Sequence, residues 1–300
     1  MTLSIMTLNN PADYYHIDKL LKSKWDRVRG GKLKDLDEDR VYVVDGRERS
    51  GKSLFALQQA YYIDPTIIIP EEAKKRIVFG PDDFLKAVRE TESTKDLTKV
   101  IIFDEAFRGL SSRGIMSKVN KSIIQALMEM GQKNLVVFIV LPSFFMLDLY
   151  PAMLRSNALF HIKKAKNSKL RSFYVYNYTK KSLLYQIGVR KGWQYSIYTP
   201  LKGRFFGKYP GGDKFEAFYR KLKRLAIESM PIMIEKEQDK VTESLEKALI
   251  FDNKRLESGM SQRELAKWWE EVTGKSITHA RVNQMLKKVR ESVKVDPIPS

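Results

Sequence analysis

Eight consecutive residues, 46–53, have the types and spacing of a loop that binds phosphate. They fit the pattern G-x-x-x-x-G-K-[ST] at every fixed position, directly after the apolar run 41–44. Glycines let the backbone curl around a phosphate, and consecutive N–H groups at a helix N-terminus present positive potential to it. The pattern predicts that the nucleotide-binding residues are Gly46, Arg47, Glu48, Arg49, Ser50, Gly51, Lys52 and Ser53.

Two of these residues have distinct expected roles in binding a nucleoside triphosphate. The Lys52 ammonium would reach the β- and γ-phosphates, where it also acts in catalysis, and the Ser53 hydroxyl would hold Mg²⁺. A helical pattern follows the loop, as the strand–loop–helix context of such sites requires. ATP and Mg²⁺ are therefore the expected cofactors.

A pair of carboxylates after a second apolar run indicates hydrolysis as well as binding. Residues 100–103 form a continuous apolar run, typical of a parallel strand buried on both faces, and Asp104 and Glu105 follow it. At a strand end beside the phosphate loop, Asp104 would hold the metal and Glu105 would polarise the attacking water as general base. Such a pair is solvated surface in most proteins, but here the loop favours catalysis.

An alternation of strands and helices must position these residues. Apolar runs and helical spacing predict strands at 41–44, 76–79, 100–103, 135–141 and 158–162, and helices at 52–62, 81–90, 118–131 and 147–155. This alternation is typical of an α/β fold with a mainly parallel sheet covered on both faces. The order of the strands within the sheet does not follow from one sequence.

Residues 163–210 are rich in aromatic and basic side chains and predict a β-hairpin extension of the sheet. Residues 171–178 alternate as an antiparallel strand does. Interleaved aromatic and cationic side chains could stack bases and contact phosphates. Equally, the aromatic side chains could pack on the sheet while the lysines face solvent. Both interpretations remain open from the sequence.

The carboxyl-terminal residues resemble a small all-α helix-turn-helix domain. Ser261 and Glu264 predict a capping box at the start of one helix, residues 273–276 predict a turn, and residues 277–290 predict a second helix. Two helices joined by a glycine turn are also an ordinary packing module. If the second helix reads DNA, the contacting residues are Thr278, His279, Arg281, Asn283, Gln284, Lys287 and Lys288.

The composition favours a polyanionic partner. The 300 residues carry 54 Lys and Arg against 36 Asp and Glu, a net charge of +18. Duplex DNA is the simplest partner, and an anionic membrane surface is the weaker alternative. The chain has no cysteine, which excludes disulfides and is compatible with a reducing cytoplasm. No segment predicts a signal peptide or a membrane span, so we expect a cytoplasmic protein.

The chain resembles the FtsK–HerA branch of phosphate-loop ATPases, which have a RecA-like core, and most of all its virus- and plasmid-borne zonula-occludens-toxin-like proteins. The resemblance covers residues 39–162 and rests on the phosphate loop, residues 101–106, the apolar strand 135–141 and residues 154–162. It implies homo-oligomers, typically hexameric rings, that hydrolyse ATP to pump or remodel DNA.

The resemblance also implies roles for single residues. It makes Arg155 the expected arginine finger acting on a neighbouring subunit, with Arg113 as the rival. The family often has a glutamine after the strand that follows its acidic pair, whereas this chain has Leu-Pro-Ser there. Ser143 is the expected substitute, and the departure weakens the case for coupling hydrolysis to translocation.

Composition shifts divide the chain into four parts, and the motifs leave two functions open. We expect an N-terminal extension at 1–38, an ATPase domain at 39–225, a helical linker at 226–252 that is interrupted at Pro231, and the helix-turn-helix domain at 253–300. The first function is a DNA-translocating, packaging or transfer ATPase. The alternative is an ATP-switched DNA-binding regulator or replication initiation factor, and a helicase-like ATPase whose tail binds a protein is a third.

Overall fold

One seven-stranded sheet carries the residues of the predicted nucleotide site. The computed structural model describes residues 15–104, 113–165, 170–274 and 276–293. The strands are β1 (Arg40–Gly46), β2 (Ile77–Val78), β3 (Val100–Phe103), β4 (Val136–Val140), β5 (Ala158–Lys164), β6 (Arg171–Tyr176) and β7 (Lys202–Phe205). Their order is β2-β3-β4-β1-β5-β6-β7. The first five are parallel, and β6 and β7 are antiparallel to their neighbours.

Helices cover both faces of this sheet. They are α1 (Lys19–Trp25), α2 (Lys32–Leu36), α3 (Lys52–Ile63), α4 (Pro70–Arg76), α5 (Pro81–Glu90), α6 (Arg113–Glu129), α7 (Tyr178–Arg190) and α8 (Gly212–Ser258). Side chains of α1, α3, α4 and the first turns of α8 share one apolar core, and those of α5, α6 and α7 share the other. The predicted α/β class with a mainly parallel sheet is confirmed.

In the sheet, β1, which precedes the phosphate loop, is not adjacent to β3, which precedes Asp104. The strand β4 pairs with β1 on one side and with β3 on the other. The strand that lies between β1 and β3 in the sequence, β2, is instead the edge strand beyond β3. The carboxyl ends of β1, β4 and β3 therefore meet at one edge, where open α/β sheets bind ligands.

The predicted helix at 147–155 is shorter than expected. A single 3₁₀ turn spans Phe144–Met146, and a π-helical turn spans Tyr150–Arg155 with a proline in its first turn. Proline is favoured at that position because it lacks an N–H that would have no partner there. The apolar spacing before Pro151 reflects burial of Phe144, Phe145 and Leu147 rather than a continuous helix.

The aromatic and basic extension adds two antiparallel strands to the sheet, and a helix connects them. The strand β6 follows β5 in the chain and pairs with it antiparallel, whereas α7 connects β6 to β7. The alternating pattern ends at Tyr176, and the Asn177 side chain caps the helix by accepting the Lys180 N–H at 3.1 Å. Asparagine is a preferred N-cap residue because its oxygen satisfies a backbone donor that has no partner within the helix. The predicted antiparallel strand is confirmed, and the sequence did not predict α7.

The described part of the N-terminal extension belongs to the core of the sheet. Leu21, Trp25 and Leu33 are buried in the same apolar core as α3. The Trp25 indole N–H donates to Gln59 Oε1 at 2.7 Å, which satisfies a polar atom that would otherwise be buried without a partner.

The chain divides into two compact units, residues 1–226 and 227–300. In the second unit, the carboxyl end of α8 packs with α9 (Gln262–Thr273) and α10 (His279–Val293) around Phe251, Leu265 and Val282. The predicted capping box is present, with the Ser261 hydroxyl accepting the Glu264 N–H and the Glu264 carboxylate accepting the Ser261 N–H.

The predicted interruption at Pro231 is wrong, since α8 is one helix of 47 residues that passes through this position. An interior proline costs about 3 kcal/mol. The residues that follow Pro231 are rich in Glu, Lys, Leu and Ala, whose helix propensities favour continuing the helix. Among the helices in the described ranges, none is both long and apolar enough to cross a bilayer.

A buried ion pair connects α4 to β3, the strand that precedes Asp104. Asp64 and Arg76 are almost fully buried and contact each other directly. The Asp64 carboxylate also accepts the Val100 N–H at 3.1 Å, and the Arg76 guanidinium donates to the Val100 carbonyl at 3.2 Å. Each charge thus has partners that offset its loss of hydration.

Replacing Arg76 should destabilise the fold strongly. We expect Arg76→Ala to lower the free energy of unfolding by about 3–5 kcal/mol, because Asp64 would remain buried without its counter-ion. Urea denaturation followed by circular dichroism measures this change. The control is Lys74→Ala, two residues away on α4, where the ion pair with Glu71 is exposed and its loss should cost less than about 1 kcal/mol. Equal losses in the two variants would contradict this account.

Candidate functional site

The phosphate loop adopts backbone angles that favour glycine at two of its positions. Gly46 and Gly51 have φ values of 141° and 99°. A Cβ at Gly46 would lie 2.4 Å from the carbonyl oxygen of Ile162, so no larger residue fits without movement. Gly51 precedes α3 and offers no side-chain cap, which leaves the first N–H groups of that helix available to an anion.

The Lys52 side chain folds back over the loop. Its ammonium donates to the carbonyl oxygens of Gly46 at 2.7 Å and Arg47 at 3.0 Å. Lys52 and Ser53 line a cavity of about 720 Å³ together with Arg49 and Arg171. The ammonium therefore lies at the position from which a lysine of such a loop can contact phosphate oxygens.

The structure brings Ser53 and Asp104 together although they are 51 residues apart in the chain. The Ser53 hydroxyl donates to Asp104 Oδ1 at 3.0 Å. Asp104 directly follows β3 and is 1% exposed, so its carboxylate contacts protein groups such as Ser53 rather than bulk solvent. A hydroxyl and a carboxylate at this distance form the pair of oxygen ligands that can hold Mg²⁺ beside a phosphate.

Two further side chains, both from α8, contact the same carboxylate. The Tyr219 hydroxyl donates to Asp104 Oδ2, and the Lys223 ammonium lies 3.3 Å from that oxygen. Burial, together with the negative charge of Asp104, holds the pKa of the Tyr219 hydroxyl well above its ordinary value, so it stays a donor. Sequence analysis missed both residues, although Phe215 and Tyr219 share the i, i+4 spacing of a buried helix face.

The cavity at the loop also contains a cation that sequence analysis did not single out as a ligand residue. Arg171 begins β6, and its Cδ and Nε atoms lie 2.8 and 2.9 Å from the position of a Cβ added to Gly51. Arg220 and Lys208 line the same cavity. The concentration of positive charge beside the helix N-terminus suits a polyphosphate.

The structure of this chain gives no support for the expected role of Arg155 as an arginine finger that acts on a neighbouring subunit. Its guanidinium forms a two-pronged ion pair with Asp39, which immediately precedes β1, and donates to the Leu127 carbonyl at 3.1 Å. Arg155 therefore lies at the amino ends of the parallel strands, opposite the phosphate loop. Reaching another subunit would require breaking two charge-assisted hydrogen bonds.

Several predicted residues fall in other places or outside the described part of the chain. Ser143 lines a different cavity from Lys52 and Ser53, so the structure does not place it as a substitute for the family's glutamine. Glu105 lies outside the described residues. The same holds for the side chains of Arg113 and Lys288.

Most of the predicted DNA contacts lie on the exposed side of α10. Thr278, His279, Arg281, Gln284 and Lys287 are exposed, while Val282, Met285 and Leu286 face the core. The Thr278 hydroxyl accepts the Arg281 N–H at 3.3 Å. The Thr278 side chain therefore lies at the amino end of α10. Asn283 is half-buried, and its side-chain oxygen accepts a hydrogen bond from Gln262 at 3.1 Å, so it is the least accessible of the set.

Comparisons with known proteins add a structural similarity. No family model and no curated protein matches this chain. Among solved structures, the chain is similar to the N-terminal domain of zonular occludens toxin from Neisseria meningitidis, with 16% sequence identity and a TM-score of 0.28. The match covers 54% of this chain and 94% of that domain. The assignment of the site therefore depends on the geometry of the residues described above.

Removing the Tyr219 hydroxyl should destabilise the chain in the absence of nucleotide and metal. We expect Tyr219→Phe to lower the free energy of unfolding by about 1.5–3 kcal/mol, because a buried carboxylate loses a hydrogen-bond donor. Urea denaturation measures the change. The control is Tyr198→Phe, the same chemical change at a residue that is 74% exposed, which should have almost no effect. An unaltered Tyr219→Phe variant would show that this hydrogen bond contributes nothing.

Proposed function

We propose that this chain binds Mg²⁺·ATP at the phosphate loop and hydrolyses it. The observation that carries the proposal is the hydrogen bond between Ser53 and Asp104, next to Lys52 and an uncapped helix N-terminus. Ser53 and Lys52 line one cavity at the carboxyl edge of the parallel sheet, and the buried Asp104 carboxylate contacts Ser53 from behind it. This arrangement supports a metal-binding pair beside a phosphate-binding cation.

Each residue has a defined part in the proposed reaction. Lys52 exchanges its bonds to the loop carbonyls for bonds to the β- and γ-phosphates. Ser53 and Asp104 would hold Mg²⁺, which would supply positive charge next to the transferred phosphoryl group. Glu105, which follows Asp104 in the sequence, orients and deprotonates the attacking water.

Substitutions at Lys52 and Glu105 should fail in different ways. Lys52→Ala should abolish ATP binding and turnover, because the loop loses its only lysine. Glu105→Gln should bind ATP normally and lower turnover by roughly 10²–10⁴-fold, because it removes the base alone. Calorimetric titration measures binding, and phosphate release measures turnover.

The control for these variants is Lys86→Ala, which removes a lysine whose side chain is 70% exposed on α5. It should retain both binding and turnover. Normal hydrolysis by Lys52→Ala would overturn the nucleotide site, whereas normal hydrolysis by Glu105→Gln would overturn only the identity of the base.

A second proposed function is binding of duplex DNA through α10. The exposed side of this helix presents Arg281, Gln284 and Lys287, and the whole chain carries a net charge of +18. Arginine and glutamine side chains can bond to base edges in a major groove, while lysine contacts phosphates. This arrangement supports the interpretation of α9 and α10 as a helix-turn-helix.

Charge removal on α10 should weaken duplex binding in a salt-dependent way. We expect the double variant Arg281→Ala, Lys287→Ala to weaken binding, because Arg281 no longer contacts a base edge. The slope of log affinity against log salt should fall by about 0.9, for the one phosphate that Lys287 no longer neutralises. Fluorescence anisotropy with a labelled duplex measures both affinity and slope. The control double variant, Lys24→Ala with Arg27→Ala, removes the same charges from exposed positions of the first unit. Equal effects of the two double variants would exclude α10 as the DNA reader.

These two activities together fit a DNA-dependent ATPase, and we propose a DNA motor that works as a homo-oligomeric ring. The motor rests on the family resemblance, and the ATP-switched regulator is its alternative. Turnover separates the two: strong stimulation by non-specific duplex DNA favours the motor. Slow turnover combined with protection of one DNA sequence favours the regulator.

A further inference from the structure

A second cavity lies on the other side of the phosphate loop from the nucleotide cavity. It has a volume of about 740 Å³, and we call it the Trp193 cavity. Its walls come from the loop, from the end of β5 and from the segment after α7. The side chains that matter here are Arg47, Arg49, Lys163, Lys164, Trp193 and Tyr195.

The charge of the Trp193 cavity is strongly positive. Within the described part of the chain, four lysine and arginine side chains line it, and Glu48 is the one lining carboxylate. Lys163 and Lys164 are exposed at the end of β5, with the Lys163 ammonium 4.8 Å from the centre of the Tyr174 ring. Exposed cations around a concave surface concentrate anions, and phosphates above all.

The geometry of Trp193 is unusual for a residue without a function. Its side chain is 49% exposed, and its φ of 66° places it in the left-handed region that bulky residues rarely adopt. The ring is stacked against Phe145, with centroids 6.3 Å apart and planes 27° apart. The backbone at Trp193 is thus strained, and the fold maintains this strain while a large aromatic face stays in solvent.

Buried contacts fix the base of the same cavity. Asp45 is fully buried and contacts both the His161 Nδ1 atom, at 2.8 Å, and the Tyr195 hydroxyl. The Asp45 carboxylate also accepts the Phe144 N–H at 2.9 Å, and the His161 ring stacks on Tyr195 with centroids 4.0 Å apart. A hydrogen-bonded network of this kind holds the aromatic wall in one position.

We propose that the Trp193 cavity binds single-stranded nucleic acid. One base would stack on Trp193, and the adjoining phosphates would contact Lys163 and Lys164. A single strand fits better than a duplex, because paired bases have no free face for an aromatic ring. This site is distinct from α10, for which we propose duplex binding.

The position of the Trp193 cavity gives the bound strand direct access to the nucleotide loop. Glu48, Arg49 and Pro142 line both cavities. The buried Ser50 hydroxyl, between them, has no hydrogen-bond partner among the described residues. A strand that contacts Arg49 therefore touches the segment that surrounds the phosphates, so strand binding and ATP turnover should affect each other.

The test measures binding of fluorescein-labelled oligothymidylate and oligouridylate to the full chain by anisotropy. Trp193→Ala should weaken binding roughly 5- to 150-fold, as expected when one base no longer stacks on an aromatic ring, and Trp193→Phe should restore most of it. The double variant Lys163→Gln, Lys164→Gln should reduce the salt slope by about 1.4, or about 0.7 for each phosphate of a single strand. Lys22→Gln with Lys24→Gln is the control, since both side chains are exposed on α1.

The outcomes distinguish binding at the Trp193 cavity from binding at the nucleotide site and at α10. In the α10 variant Arg281→Ala, Lys287→Ala, adding Trp193→Ala should still weaken oligothymidylate binding by the same factor, and circular dichroism of each variant reports that the fold is intact. Single-strand affinity that is unchanged in Trp193→Ala would overturn the proposal, as would failure of Trp193→Phe to restore binding. Tighter binding of a duplex than of a single strand at this cavity, measured in the α10 variant, would also overturn it. A preference for either oligothymidylate or oligouridylate identifies the strand as DNA or RNA.

Discussion

The buried carboxylate of Asp104 is the point on which the architecture of the site depends. It follows strand β3 and accepts hydrogen bonds from Ser53 on α3 and Tyr219 on α8, with the Lys223 ammonium beside it. A buried charge is tolerated only when such partners replace its lost hydration. The carboxylate therefore fixes three elements relative to one another, and any metal that binds it must compete with Lys223.

The order of the strands determines what this carboxylate can do. Because β4 lies between β1 and β3, the phosphate loop and Asp104 stand on either side of one strand end. Across that strand end, the Ser53 hydroxyl reaches the Asp104 carboxylate directly, at 3.0 Å. Two cavities adjoin the loop, and Glu48, Arg49 and Pro142 line both. We propose a triphosphate for one and a single strand of nucleic acid for the other.

Local patterns in the sequence predicted the loop, the acidic strand and the mainly parallel sheet, because each depends on residues close together in the chain. Such patterns could not predict contacts between residues that are far apart in the sequence. The pairing of Arg155 with Asp39 spans 116 residues and holds Arg155 at the amino ends of the parallel strands. Tyr219 and Lys223 reach Asp104 across more than 100 residues, and α7 lies within residues 163–210, for which the sequence predicted a β-hairpin extension.

The effect of Mg²⁺ on ATP affinity tests most directly whether Asp104 holds the metal beside the phosphates. Calorimetric titration of ATP into the wild-type chain and into Asp104→Asn, each with and without Mg²⁺, measures how far the metal tightens nucleotide binding. We predict that Mg²⁺ tightens ATP binding about tenfold or more in the wild type, roughly 1.4 kcal/mol of coupling, and has little effect in Asp104→Asn. Equal tightening by Mg²⁺ in both chains would contradict the claim that Asp104 holds the metal beside the phosphates.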